Sequence, residues 1–303
     1  MPEISSLSEL RLAARENGPK RVAVVAADDD IALHAAADVA ELGLAHPILI
    51  GHAKAIEEKI SALGLNRLAG TAEIVQSAEP ATAAARLAGQ GAADILLKGH
   101  LRTDELLHAV LDRNAGLRTG RLLSDVLIYE DTLSGVRRLV GITDGGLVVA
   151  PNLEQKKQIV LNAIEVMHCL GFKRPRIALM SASEAIADAM VSTTDARTLT
   201  QMGEAGAFGD AEIFGPLAFD NALLPSAAQA KGIHNPVAGH ADCMVVPSIE
   251  AGNLLGKAAK YFTGSQCAHV VVGAKVPVLI PSRVESADDK VNSIALGALY
   301  GSR

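Results

Sequence analysis

The feature that most constrains this chain is a regular alternation of short apolar runs with helical segments. Apolar runs at 21–26, 47–51 and 73–75 are each followed by a segment in which small apolar residues recur at helical spacing. Strands that alternate with helices form parallel sheets, because each helix returns the chain to the same edge of the sheet. We therefore predict an α/β fold class in which helices cover a parallel sheet.

The pattern changes near residue 117. Strands at 122–129 and 138–143 are joined by a turn, and a further apolar run follows at 147–150 after a second turn, so this part is predicted to be rich in hairpins. Strands and helices then alternate again. The pair Gly215-Pro216 is predicted to break the strand that begins near residue 211.

Composition narrows the class of protein. The chain has 303 residues, of which 49% are hydrophobic, and this is enough for one large or two smaller cores. The net charge of −6 makes nucleic acid and anionic membranes poor partners. No apolar run approaches the roughly 20 residues of a membrane span, and no signal peptide is evident. We expect a cytoplasmic protein in which Cys169, Cys243 and Cys267 are reduced core residues.

The closing segment, 281–292, carries the densest set of reactive side chains. It offers the hydroxyl of Ser282, the guanidinium of Arg283 and the carboxylates of Asp288 and Asp289. Apolar residues recur at helical spacing after them, so these groups are predicted to lie at the start of a final helix. The amino end of a helix favours anions, and an arginine fork matches two phosphate oxygens. The segment therefore predicts an anion site in which Asp289 could move a proton.

The same segment also has a purely structural interpretation. Ser286 and Asp289 have the spacing of a capping box, in which the first and fourth residues each bond the other's backbone amide. Asn152 and Gln155 show this spacing at the start of a predicted long helix. On composition alone, the capping interpretation outweighs the catalytic one. The aspartates at 28–30 are likewise attributed to helix capping rather than to a metal site.

Basic residues gather where one predicted strand ends. Lys98, His100 and Arg102 follow the strand over 94–98 and precede a predicted helix. Ligands of open α/β sheets bind beyond the carboxyl ends of the strands, so these residues are candidate contacts for an anion. His100 is interpreted as a hydrogen-bonded turn residue rather than as a catalyst.

Five segments carry a resemblance to a known family. They are Ile142-Thr143-Asp144-Gly145-Gly146 with Pro151-Asn152, Gly215-Pro216-Leu217-Ala218-Phe219-Asp220, Pro236-Val237-Ala238-Gly239-His240-Ala241-Asp242, Ile249-Glu250-Ala251-Gly252-Asn253, and Ser282-Arg283 through Asn292. In this order, and across essentially the whole chain, they resemble the phosphate acetyltransferase and phosphate butyryltransferase family.

The resemblance implies an activity and an architecture. Members of this family exchange an acyl group between coenzyme A and phosphate. The expected partners are therefore acyl-CoA, CoA, inorganic phosphate and acyl phosphate, with CoA as a substrate and no permanent cofactor or metal. Two α/β/α domains with a cleft between them are expected, similar to isocitrate and isopropylmalate dehydrogenases. The first would cover 1–113 plus 276–303, and the second, over 114–275, would support a homodimer or larger homo-oligomer.

The resemblance also implies roles for the closing segment. Asp289 would be the general base for the CoA thiol, Arg283 would bind phosphate or acyl phosphate, and Ser282 would hydrogen-bond the reacting group. Proton transfer from a thiol of pKa near 8.5 to an aspartate near 3.9 costs roughly 6 kcal/mol. The carboxylate must therefore be desolvated, the proton must move as sulfur attacks, or nearby cations must lower the pKa of the thiol.

Additional contacts to phosphate or CoA are expected from further polar side chains. These are Lys98, Arg102, Lys275, Ser286 and Asn292.

Three questions stay open at this point. The flanks of the closing motif and the segment 273–277 look more like the butyryl branch, so the acyl chain is undecided between acetyl and butyryl. A metal- and NAD(P)-dependent dehydrogenase on a similar fold is a rival, although no glycine-rich nucleotide motif follows a strand. A catalytically inactive relative is the other rival, and the intact Ser282, Arg283 and Asp289 argue against it.

Overall fold

The structure is a computed structural model that describes residues 2–133, 135–282 and 285–302. The chain forms two compact units. Unit A comprises Ser8–Arg121 and the residues from Ala268 onward, and unit B comprises the residues up to Leu7 together with Leu122–Cys267. The chain therefore leaves unit A after Arg121, builds most of unit B, and returns to unit A at Ala268.

Strands and helices alternate over most of the described chain, as predicted. The strands are β1 (Lys20–Val25), β2 (Ala45–Gly51), β3 (Glu73–Gln76), β4 (Ile95–Lys98), β5 (Ser124–Asp131), β6 (Arg138–Thr143), β7 (Arg176–Met180), β8 (Glu212–Leu217), β9 (Cys243–Val245), β10 (Cys267–Val272) and β11 (Val278–Leu279). The helices are α1 (Leu7–Glu16), α2 (Asp30–Glu41), α3 (Ala53–Ala62), α4 (Asn66–Thr71), α5 (Pro80–Gly89), α6 (Thr103–Leu111), α7 (Leu153–Cys169), α8 (Val191–Glu204), α9 (Phe219–Leu223), α10 (Pro225–Ala230), α11 (Ile249–Thr263) and α12 (Ala287–Tyr300).

Unit A is built on a largely parallel sheet. Its strands lie in the order β3-β2-β1-β4-β11-β10, and every neighbouring pair is parallel except β10 with β11. All four residues of β4 are buried, which is typical of a strand covered by helices on both faces. Helices α2 and α5 turn alanine-rich faces inward, and these short side chains allow close packing.

Unit B has a mixed sheet. Its strands lie in the order β5-β6-β9-β7-β8, in which β5 and β6 form an antiparallel hairpin and the other neighbours are parallel. The first predicted hairpin is therefore confirmed. A core of aliphatic side chains lies beneath α9, α10 and α11.

The apolar run at 147–150 forms no strand, so the second predicted hairpin is wrong. The buried carboxylate of Asp144 organises this stretch instead. It accepts hydrogen bonds from the backbone amides of Gly146 at 2.7 Å, Leu147 at 2.8 Å and Val148 at 3.3 Å. Amides that bond a side chain in this way are not available to a sheet ladder.

The predicted break at Gly215-Pro216 is also wrong. Strand β8 runs through both residues to Leu217, and the Gly215–Pro216 peptide bond is cis. Strand β8 lies at the edge of the unit B sheet, where only β7 pairs with it. A proline without an N–H is tolerated on an edge strand, because one side of that strand has no partner to receive the hydrogen bond.

The three cysteines are buried thiols, and burial raises the pKa of the Cys243 thiol. Among the residues that the structure describes, no helix combines the length and the apolar character needed to cross a membrane.

Candidate active site

Two strands of unit A end side by side and bring distant segments of sequence together. Strands β4 and β11 are parallel, and their register pairs Leu97 with Leu279. Lys98, the last residue of β4, and Ile280, the residue after β11, therefore lie at the same edge of the sheet. This is the carboxyl edge, where open α/β sheets bind their ligands.

The two segments that leave β4 and β11 enclose a cavity of about 330 Å³. Its walls are formed by Lys98, Leu101, Arg102, Thr103, Asp104, Ile280, Pro281 and Ser282. Three residues selected from the sequence, Lys98, Arg102 and Ser282, therefore line one cavity. Close approach at this edge requires Gly99, since a β-carbon there would lie 2.4 Å from the carbonyl oxygen of Ala26.

Lys98 is the most buried cation of this cavity. The residue is 6% exposed, and its Nζ donates to the carbonyl oxygen of Leu101 at 3.4 Å. The ammonium group of Lys98 carries positive charge into a cavity at the carboxyl edge of the sheet, so it is placed to contact an anion.

Arg102 lies at the rim of the same cavity, just before α6. Its Nε and Nη2 donate to the two carboxylate oxygens of Asp104 at 3.0 and 2.8 Å. This hydrogen bond lowers the pKa of Asp104, and the backbone amide of Glu105 adds to the effect. Arg102 is also the N-cap residue of α6 and supplies no side-chain cap. The carboxylate of Asp104 thus bonds the guanidinium of Arg102 at the amino end of α6, where a bound anion would also be held.

The capping box predicted at the start of α12 is formed. Asp289 Oδ2 accepts hydrogen bonds from the Ser286 amide at 3.0 Å and from the Ser286 hydroxyl at 2.7 Å, while Ser286 Oγ accepts from the Asp289 amide at 3.2 Å. Asp289 is only 2% exposed. A carboxyl group is therefore buried at the end of the segment that begins at Ser282.

Other predicted contacts lie away from the cavity. Lys275 precedes β11, and its Nζ donates to the carbonyl oxygen of Gly89 at 3.4 Å. Asn292 is fully buried in α12, where its Oδ1 accepts from Arg11 Nε at 2.7 Å. Arg283 lies outside the described residues.

Of the aspartates at 28–30, Asp29 acts as the capping interpretation predicts. Asp29 caps α2 by accepting from the amide of Ala32 at 2.6 Å, and Asp30 forms an ion pair with Lys59. His100 is exposed, with its Nδ1 3.8 Å from Asp28 Oδ2.

Sequence reasoning missed Asp104 and the apolar wall formed by Leu101, Ile280 and Pro281. An acid two residues after a candidate anion-binding arginine, in the first turn of a helix, was a usable signal for Asp104. The apolar wall depends on the register of β4 with β11, which no local pattern reveals.

Comparison of the sequence with known protein families identifies the family of this chain. The family described as "Phosphate acetyl/butaryl transferase" matches residues 70–298, which include the whole cavity and the start of α12. The chain belongs to the phosphate acetyl/butyryl transferase family. It is therefore an acyltransferase.

Relatives named as acetyltransferases and relatives named as butyryltransferases are both similar to this acyltransferase. Phosphate acetyltransferase of Rhizobium meliloti is 38% identical over 99% of this chain and 94% of its own length. Phosphate butyryltransferase of Clostridium beijerinckii is 36% identical over 98% of each chain. The crystal structure of a branched-chain phosphotransacylase from Enterococcus faecalis is 28% identical, covers 93% of this chain and 99% of its own, and superposes with a TM-score of 0.82.

The comparisons bear on two further expectations from the sequence. The mixed α/β fold is confirmed, whereas the expected likeness to isocitrate and isopropylmalate dehydrogenases is not. The dehydrogenase alternative for the function is not favoured, since the family and the relatives above are acyltransferases.

Proposed function

We propose that this acyltransferase exchanges a short acyl group, acetyl or butyryl, between coenzyme A and inorganic phosphate, with the phosphate held in the unit A cavity. The observation that carries the proposal is the position of Lys98. A nearly buried ammonium lies beside Arg102 and the hydroxyl of Ser282, at the edge of the sheet where ligands bind. Coenzyme A would then bind and dissociate in each catalytic cycle as a substrate, and would not be a permanent cofactor.

The start of α6 supports the same assignment. It has no side-chain cap, and Asp104 already places a carboxylate against Arg102 and the first turn of the helix. A phosphate has the charge and the acceptor oxygens to replace that carboxylate. Arg283, adjacent to Ser282 in sequence, would add a second guanidinium to the phosphate or acyl phosphate.

The reaction requires attack on a carbonyl carbon and a transferred proton. In the direction of acyl phosphate synthesis, a phosphate oxygen attacks the thioester carbon, the carbon–sulfur bond breaks, and the CoA sulfur leaves and is protonated. In reverse, the thiol loses its proton as sulfur attacks the acyl phosphate, and phosphate leaves with the bonding electron pair. Lys98 and Arg102 would balance the charge of the phosphate and of the tetrahedral oxyanion.

Asp289 would accept the thiol proton in the reverse direction and return it to sulfur in the forward direction. In its capping box, Asp289 Oδ2 already accepts two hydrogen bonds from Ser286, and the residue is 2% exposed. A base role therefore requires the thiol to reach a carboxylate that also caps α12, with Ser286 holding that carboxylate in position.

No protein nucleophile is needed in this scheme. The three cysteines are buried, and the raised pKa of Cys243 disfavours its thiolate. Direct transfer between sulfur and phosphate oxygen is therefore the simplest sequence of bond changes.

Four further expectations remain part of the proposal. The protein would act in the cytoplasm and would assemble as a homodimer or a larger homo-oligomer. The folding domains would be 1–113 plus 276–303 and 114–275. Lys275, Ser286 and Asn292 would contact the substrate or support residues that do.

The proposal is tested by measuring release of CoA thiol from acetyl-CoA and from butyryl-CoA, with and without inorganic phosphate. Thiol release that depends on phosphate with at least one of the two is expected. Release that is independent of phosphate, or no release with either substrate from folded protein, would contradict it. The ratio of the two rates would assign the preferred acyl chain.

A further inference from the structure

Arg11 of α1 joins two parts of unit A that are far apart in the sequence. Its Nε donates to Asn292 Oδ1 at 2.7 Å. Its Nη2 donates to Asp288 Oδ1 at 2.8 Å and to the Asp288 carbonyl oxygen at 3.1 Å. All three acceptors belong to the first two turns of α12, and Asp289 lies between the two residues that supply them. One guanidinium therefore bonds the start of α12 on both sides of Asp289.

The anchor at the other end of these bonds is itself fixed. Leu10 and Ala14 of α1 are fully buried, so the backbone that carries Arg11 is held by close packing. A guanidinium is also a planar, rigid fork that loses little freedom when it bonds several acceptors. The capping box of Ser286 and Asp289, by contrast, is made within four consecutive residues. It sets their local geometry, whereas Arg11 ties the first turn of α12 to the rest of unit A.

The same contacts give two adjacent aspartates different surroundings. The side chain of Asp288 is 56% exposed and bonds Arg11, whereas Asp289 is 2% exposed and bonds Ser286. A displacement of about 1 Å between reacting groups can slow a reaction by about 10²-fold. The position of the Asp289 carboxyl group would therefore influence the rate of any proton transfer to it, and Arg11 is placed to control that position.

We propose that Arg11 is a positioning residue for the acyl transfer, and that it holds Asp289 where the CoA thiol can reach it by bonding Asp288 and Asn292. The inference rests on the proposed function, in which Asp289 accepts the thiol proton. Asn292 then connects α12 to Arg11 and does not contact the substrate. Arg11 contacts no reacting atom and takes part in no step of the reaction.

Steady-state kinetics of Arg11→Met test the positioning role. The kcat should fall by roughly 10- to 100-fold, because a displaced base accepts the proton less readily. The KM for phosphate should equal that of wild type, because Lys98 and Arg102 in the cavity are unchanged. Arg21→Met is the matched control, since the Arg21 fork bonds both carboxylate oxygens of Asp94, at 3.1 and 2.6 Å, elsewhere in unit A. It should lower the urea midpoint and leave kcat unchanged.

A double-mutant cycle shows whether Arg11 acts through Asp289. In the Asp289→Asn background, Arg11→Met should cause little further loss of kcat, because no base is left to be positioned. An equal loss of kcat in both backgrounds would show that Arg11 acts elsewhere and would overturn the proposal. A wild-type kcat in folded Arg11→Met would overturn it as well.

Arg11→Lys keeps the proposal testable if circular dichroism shows that Arg11→Met does not fold. A single ammonium cannot reproduce the planar fork, so kcat should fall by about two- to tenfold, the value of one lost hydrogen bond. A wild-type kcat in Arg11→Lys would then overturn the proposal.

The wild type and Asp289→Asn separate this inference from the proposed function. If thiol release by the wild type depends on phosphate and Asp289→Asn loses turnover, a wild-type kcat in the Arg11 variants refutes the positioning role alone. If Asp289→Asn keeps the turnover of wild type, the base assignment in the proposed function fails, and the positioning role fails with it.

Discussion

Two helices of this protein begin with the same local motif and differ in its chemistry. At the start of α7 in unit B, the capping box is made of Asn152 and Gln155, which are neutral. At the start of α12 in unit A, it is made of Ser286 and Asp289, and the carboxylate is 2% exposed. A helix end needs only hydrogen bonds, which neutral amides supply. A carboxyl group is costlier to bury than a neutral amide, and capping alone does not require one. We therefore propose that the capping box of α12 also serves the reaction, whereas that of α7 only begins its helix.

The largest expected effect is on turnover, and it should distinguish the capping box of α12 from that of α7. Asp289→Asn keeps an acceptor oxygen for the cap but removes the base, so turnover should fall by roughly 10²–10⁴-fold. The free energy of unfolding should change by no more than about 1 kcal/mol. Asn152→Ala, which removes the N-cap side chain of α7, should lower stability by about 1 kcal/mol and leave turnover unchanged. Steady-state kinetics and urea unfolding measure both quantities, and equal turnover in wild type and Asp289→Asn would remove the base assignment.

A buried carboxylate with a structural role should reveal itself through the pH dependence of stability. Burial, and then the nearby Asp125, raise the pKa of Asp144 to about 6, although the amides of Gly146 and Leu147 act in the opposite direction. The folded chain therefore holds this proton more tightly than the unfolded chain does between pH 4 and pH 6. Ionising Asp144 destabilises the fold above its folded pKa, and the penalty is lost as pH falls toward 4.

The check is the difference in unfolding free energy between wild type and Asp144→Asn. As pH falls from 7 to 4, wild type should gain up to about 3 kcal/mol relative to the variant, which follows from a pKa shift of about two units. Burial raises the pKa of Asp94, but its hydrogen bonds to Arg21 outweigh burial and leave that pKa below its usual value. Asp94→Asn should therefore show the opposite slope. A flat difference for Asp144 would mean that its carboxyl is no harder to ionise than one in water.

A smaller effect is expected at the start of α6. On the proposed assignment, Asp104 would compete with phosphate for Arg102, so Asp104→Asn should lower the KM for phosphate. An exposed ion pair is worth about 0.2–1 kcal/mol, so the decrease should not exceed about fivefold. Glu105→Gln removes the same charge one residue later, outside the lining of the cavity, and should change KM less. An increase in KM for Asp104→Asn would instead show that Asp104 positions Arg102 for the substrate.

The smallest expected effect concerns the acyl chain. Ile280 forms part of the apolar wall of the cavity, and Ile280→Ala would enlarge it. The ratio of kcat/KM for butyryl-CoA to that for acetyl-CoA should rise by about fourfold at most, which is the value of one additional buried methylene at about 0.8 kcal/mol. Ile186→Ala, at an exposed residue of unit B, should leave the ratio unchanged. A fall in the ratio would place the acyl group elsewhere.

Much of the fold and part of the site could be predicted because they depend on local patterns. Period, turn chemistry and strand ends placed Lys98 and Arg102 at the carboxyl edge of the sheet, and Ser282, Ser286 and Asp289 near the start of the final helix. The closeness of Lys98 to Ser282 needed one further fact, that β11 is parallel to β4 and in register with it.

The errors have a different origin. The strand predicted over 147–150 failed because one side chain, Asp144, captures the amides of the following residues. The break predicted at Gly215-Pro216 failed because β8 lies at the edge of its sheet, a property of topology rather than of sequence. The buried position of Asn292 depends on Arg11, which lies far from it along the chain.

The central claim is that the unit A cavity binds phosphate through Lys98. The most direct measurement is the KM for phosphate of Lys98→Met, which keeps the length and burial of the side chain but removes its charge. Lys54→Met, on the surface of α3, is the control with the same change at an exposed lysine. Loss of a charge-assisted contact worth about 1.5–3 kcal/mol should raise the KM by roughly 10- to 150-fold in Lys98→Met alone. A KM for phosphate equal to that of wild type in folded Lys98→Met would contradict the account.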